Sequence, residues 1–130
     1  MNTITTDSKM LNRRVRRSGD ITRALTLQLE ASAKRASFKT MVLVDHLGMV
    51  MAQSGNQSIG EQLAALSPLL APDKTPWHGR VRTPKGNFLV SVAPIQIDGE
   101  CLYISATGGR GEDVPRELFT SGLGVARILS

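Results

Sequence analysis

The side chains able to do chemistry in this 130-residue chain are few and far apart. His46 and His78 are the two histidines, and Cys101 is the single cysteine. A metal site needs three or four clustered ligands, and this spacing supplies no such set. Nucleophilic catalysis needs a serine or cysteine beside a base that a third group orients. No nucleophile-elbow motif is present, so no catalytic residue is assigned. His46 reads as a hairpin-tip residue and His78 as part of a proline-rich loop, both on the surface. Cys101 leads an apolar run and reads as a small hydrophobe. Gly108-Gly109-Arg110-Gly111 lacks the Lys-Ser/Thr of a phosphate-binding loop and is followed by Glu112 and Asp113, which repel phosphate. It reads as a flexible turn. No cofactor and no metal are expected.

The dense chemistry is cationic. Arg13, Arg14, Arg16 and Arg17 form a cluster whose guanidinium forks suit carboxylates and phosphates alike. No aromatic residue is interleaved to stack on bases, and few apolar residues accompany it as lipid anchors. The cluster reads as a solvated tail, as a docking arm for an acidic protein surface, or as a nucleic-acid or lipid contact. Residues 1–40 hold nine Lys or Arg against three acids, and residues 41–130 hold seven against eight. The net charge of +5 therefore belongs to the N-terminal segment. Residues 1–18 read as a basic arm and residues 19–130 as one domain.

A chain of this length buries roughly two-thirds of its unfolded surface, so it needs no disulfide or metal staple. Hydrophobic residues are 41% of the chain and aromatics only 4%, which leaves Leu, Val, Ile, Ala and Met to fill the core. One cysteine excludes an internal disulfide framework. No apolar run approaches the ~20 residues of a membrane helix, and the N-terminus does not resemble a signal peptide. A cytoplasmic location is expected.

The elements that position these residues are legible as periodicities. Ile21, Ala24, Leu25, Leu29, Ala33 and Ala36 recur near every 3.6 residues, predicting a helix over 21–36 with Asp20 as N-cap. Residues 40–45 and 49–52 predict a hairpin turning at Gly48, its first strand buried on both faces. Ser58 and Glu61 match a capping box, followed by a stripe of Ile59, Leu63, Leu66 and Leu70. Pro68 should bend or shorten that helix. Residues 71–79 read as a loop, and Arg80–Thr83 as an exposed or edge strand. Phe88–Ala93 and Cys101–Thr107 read as strands, the latter entered through a turn at Asp98-Gly99. Asp113 should cap a last helix from Val114, which Gly122 and Gly124 weaken or break. The order is α-β-β-α-β-β-β-α, an α+β domain with a five-stranded, mostly antiparallel sheet sandwiched by helices.

Met41-Val42-Leu43-Val44-Asp45 with Gly48 and Ala52 resembles the opening hairpin of the roadblock family (dynein light chain roadblock type). Glu61 to Leu70 is similar to that family's Ala- and Leu-rich middle helix. Gly124 to Leu129 resembles the C-terminal end common in its bacterial members, those of the gliding-motility branch included. The resemblance covers about residues 20–130. It implies a roadblock/profilin-like fold and a homodimer formed through the middle helices and the strand that follows them. Carried across, the pairing residues would be Leu63, Leu66, Leu70 and Val81. It also implies a small Ras-like GTPase, or another roadblock protein, as partner. Arg13, Arg14, Arg16, Arg17 and Trp77 are the candidate partner contacts, since an exposed tryptophan anchors interfaces, although packing over the sheet edge is an equal reading of Trp77. The leading expectation is thus a non-catalytic scaffold, adaptor or modulator. The competing readings are a GAF- or PAS-type small-molecule sensor, and nucleic-acid binding through the arm.

Overall fold

A computed structural model describes residues 17–130. Arg13, Arg14 and Arg16 lie outside the described residues, and so does most of the arm expected over 1–18. Arg17 opens a single π turn, Arg17–Ile21, that runs into helix α1, Thr22–Ala36. Asp20 is not the N-cap. It lies inside the π turn, whereas a cap needs an extended backbone, and Ile21 precedes α1 in helical geometry with no side-chain cap bond. Ser37 closes α1 in the left-handed region, its N–H bonded to the Ala33 carbonyl.

Strands β1, Phe38–Val44, and β2, Val50–Ser54, form the expected hairpin. Asp45 shapes its turn. One carboxylate oxygen accepts from the N–H of Leu47 at 2.9 Å and of Met49 at 3.0 Å, while Gly48 takes φ +85°. Helix α2, Gln57–Leu70, follows. Its cap is Asn56, whose side-chain oxygen accepts the Ile59 N–H at 3.0 Å, not the Ser58–Glu61 box. Ser58 is already inside the helix, so its backbone is not free to cap. Pro68 does not end α2, which continues two residues further to Leu70.

Strand β3, Trp77–Thr83, begins three residues earlier than expected. It therefore carries Trp77 and His78, which the sequence reads as loop residues. Strands β4, Gly86–Ile97, and β5, Glu100–Gly108, complete an antiparallel meander. Asp98 and Gly99 between them both have positive φ, the geometry of the tight turn their sequence predicts. The sheet order is β2-β1-β5-β4-β3. Arg110, expected in a flexible turn after β5, is tied back, its N–H donating to the Ala36 carbonyl at 2.9 Å and its Nε to the Ser37 hydroxyl at 3.1 Å.

Helix α3, Asp113–Leu129, is unbroken, and Glu112 rather than Asp113 precedes it. Gly122 and Gly124 do not interrupt it because both are close-approach positions. A Cβ at Gly122 would sit 3.1 Å from the Ile95 side chain, and one at Gly124 would overlap the Gln28 amide. The glycines let α3 settle on β4 and α1.

Helices α1 and α3 cover one face of the sheet, where Leu25, Leu29, Met41, Leu43, Ile104 and Val125 form a buried cluster. Helix α2 covers β1, β2 and β5 on the other face, over Val42, Val44, Val90, Val92 and Tyr103. Residues 41–44 are fully buried between the two layers, as the apolar run predicts. A bidentate Arg35–Glu117 pair, both contacts at 3.0 Å, joins the helices of the first layer. The Glu117 carboxylate holds the Arg35 guanidinium above its ordinary pKa.

Candidate interaction surface

The residues of α2 buried against the sheet are Gly60, Leu63, Ala64 and Ser67, with Ala71 just past its end. This stripe is rotated from the Ile59–Leu63–Leu66–Leu70 stripe expected from leucine spacing. The small residues take the close positions, which turns the larger ones outward. Leu63 is 4% exposed and lies inside the protomer's own core. Leu70 is half-buried against that core, whereas Leu66 is half-buried without belonging to it. Leu69 is 74% exposed. Leu66 and Leu69 are three residues apart and so adjacent on the helix surface.

β3 is an edge strand, paired with β4 on one side only. Its odd-numbered residues share the α2 side of the sheet. There Val81 and Phe88 are half-buried and Trp77 packs on the same cluster. The indole lies over Gly79, close enough that a Cβ there would sit 2.8 Å from the ring. Trp77 is therefore a partly covered wedge at the sheet edge. Of the four residues expected to pair, the structure brings Leu70 and Val81 to one cluster with Leu63 beneath, and leaves Leu66 on the outer side. Leu69 was missed. Its signal was the Leu69-Leu70 doublet, in which two adjacent residues of a helix cannot both face the sheet.

On the opposite face β3 carries no helix. His78, Arg80 and Arg82 alternate there, opposite Ser91, Leu89 and Asn87. The His78 Nδ1 and the buried Ser91 hydroxyl are 2.6 Å apart, a pair the sequence did not bring together. Among the described residues no carboxylate lies within ion-pair distance of His78, so this Ser-His pair lacks the orienting group of a nucleophilic site. Among the described residues no three His, Cys, Asp or Glu cluster to hold a metal. No described helix is long and apolar enough to cross a membrane.

A central antiparallel sheet with one helix on one face and two on the other, in this strand order, is the roadblock fold. No family model and no curated protein matches the chain. Solved structures do. The gliding protein MglB of Thermus thermophilus superposes with a TM-score of 0.62 at 11% identity, over 85% of this chain and 92% of that one. MglB of Myxococcus xanthus gives 0.62 at 12%, over 85% and 90%. A roadblock/LC7 domain from Streptomyces avermitilis gives 0.59 at 17%, over 80% and 96%. At such identities it is the fold that is shared.

Proposed function

We propose that this chain is a non-catalytic, homodimeric interaction module of the cytoplasm, a scaffold, adaptor or modulator in a small Ras-like GTPase system of the polarity or motility type, pairing with itself or with another roadblock protein. The observation that carries the reading is the α2 side of the sheet, where Leu69 of α2 is exposed, Leu66 one turn before it is half-buried, and β3 leaves an open edge. An open edge presents a row of unpaired N–H and C=O groups that proteins usually cover. A two-fold axis beside α2 would set Leu66 and Leu69 against their own copies and align the two β3 edges, the self-complementary contact that a closed dimer requires. The resemblance of the hairpin and middle helix to the roadblock family supports the GTPase system as the setting. So does the likeness to gliding-protein structures, one of which is described in a tetrameric arrangement. In this reading the protein acts by presenting surface and contributes no reacting group.

Light scattering on the wild type and on Leu69→Asp tests it. A dimeric wild type and a folded, monomeric variant support the reading. A monomeric wild type overturns it.

A further inference from the structure

The face that carries α1 and α3 has its own unfilled surface. Two cavities, of about 300 Å³ and 460 Å³, adjoin along the β4 side of α3 and share Pro76, Pro115 and Leu118. The first ends at His78 and Ser91, and the second runs to Ile95 and Ala126. Together they form one apolar trough beside α3, roughly 16 Å long from the helical rise over residues 115–126. Phe119 and Leu123 stand on its rim, 67% and 51% exposed and one turn apart. They flank the trough without filling it, because the other side of α3 already packs on α1 and the sheet.

Charge says what the trough suits. From Lys74 to Ile97 the chain has four Lys or Arg and no acid. Arg80 and Arg82 follow His78 on the same face of β3, beyond the trough's end, spaced about 7 Å apart by the strand repeat. Neither makes an ion pair among the described residues. At the start of α3, Glu112 and Asp113 sit between Arg110 and Arg116, so that end is locally balanced. The surface is thus an apolar slot that opens onto a cationic strip. The chain's own N-terminal segment, with Lys9, Arg13, Arg14 and Arg16, has the wrong sign for the strip.

We infer that this face docks an amphipathic acidic segment of a partner protein, with apolar side chains at one-turn spacing in the trough and carboxylates following onto Arg80 and Arg82. It is the opposite face of the sheet from the pairing surface of α2, so both can be engaged at once, and the inference does not depend on that pairing.

The probe is a dye-labelled synthetic peptide with leucines at one-turn spacing followed by a run of glutamates. Its twin carries lysines in place of the glutamates. Fluorescence anisotropy is read against the full chain at low and high salt. The glutamate peptide is expected to bind, more weakly at high salt, and the lysine peptide is not. Arg80→Glu with Arg82→Glu should weaken binding about tenfold or more, and so should Phe119→Ser, each with an unchanged circular dichroism spectrum. Equal binding of both peptides, binding of neither, or indifference to the two charge reversals overturns the proposal. Deletion of residues 1–16 that opens the trough to both peptides alike would assign it to the chain's own arm. A change of oligomeric mass in Phe119→Ser would assign it to a second copy. Either result also overturns the proposal.

Discussion

The hydroxyls of Ser67 on α2 and Ser105 on β5 meet at 2.5 Å with both residues completely buried. The Ser67 hydroxyl is also 2.6 Å from the Leu63 carbonyl, to which it donates. A hydroxyl has one proton, so Ser105 is the donor between the two. This fixes α2 on the central strand by a directed contact, where packing of Leu63 and Ala64 alone would leave it free to slide.

The asymmetry of that contact is testable. Ser67→Ala removes the acceptor and strands a buried Ser105 hydroxyl, costing about 1–3 kcal/mol of stability. Ser105→Ala leaves Ser67 bonded to the Leu63 carbonyl and costs less, about 1 kcal/mol. The double variant should be less destabilised than the sum of the two single changes. Urea titrations of the three variants measure this, and strict additivity would show that the two hydroxyls are not coupled.

The leucines of α2 should divide by where they face. Leu63→Ala opens a cavity under the helix and should cost about 2–5 kcal/mol, with unfolding before any clean change of mass. Leu69→Asp changes an exposed residue and should leave stability within about 0.5 kcal/mol. Its effect is expected on self-association, where loss of a central contact is worth about 2 kcal/mol or more. Denaturation and light scattering on the same samples separate the two outcomes. Leu69→Asp that unfolds the chain would place that residue in the core.

Much of this architecture was written in local signals. Val42, Leu43 and Val44 announce a doubly covered strand, Asp45 and Gly48 its turn, and Asp98-Gly99 the last hairpin, because each depends on a few adjacent residues. Helix starts were read less well. Asp20 and Ser58 are good caps by residue type, but the choice between Ser58 and Asn56 turns on which backbone is extended, and that is set by how the chain leaves β2. The same limit hid the outward turn of Leu66 and Leu69. Gly60, Ala64 and Ser67 take the sheet-facing positions because α2 lies close to β1 and β5, a distance that leucine spacing does not contain. The place of Gly122 and Gly124 is hidden for a related cause, since their effect on helix propensity is local and their packing on Ile95 and Gln28 is not. His78 and Ser91 meet across the β3–β4 register, thirteen positions apart in the chain.

The two kinds of glycine should respond oppositely to alanine. At Gly124 the atoms nearest the new methyl all belong to the flexible end of Gln28, within a helix where alanine is favoured by about 1 kcal/mol. Gly124→Ala should be near neutral alone and stabilising in a Gln28→Ala background. Gly109 has φ +101°, and a Cβ there would strike the Phe38 ring and the Val114 side chain. Gly109→Ala should cost roughly 2 kcal/mol or more, combining backbone strain with overpacking. Thermal unfolding of the variants checks the signs. A neutral Gly109→Ala would mean that the β5–α3 connection is not held as described.

Tyr103 gives the fold a dependence on alkaline pH. Its phenol is buried beneath α2, and burial, then hydrogen bonding to the nearby Cys101 side chain, raise its pKa above the ordinary value of about 10. The folded chain thus holds the phenolic proton to higher pH than the unfolded chain does. Below the unfolded pKa the proton is bound in both states and stability is unaffected. Above it the unfolded state releases the proton first, so stability falls as pH rises toward the folded pKa. Tyr103 is the only tyrosine, so phenolate absorbance reports it directly. The titration midpoint should lie above about 10 in the folded chain and move down in Cys101→Ala. Tyr103→Phe should flatten the alkaline arm of the stability profile. A midpoint at or below the free value would mean that water reaches the ring, and that α2 sits less tightly on β5 than its contacts require.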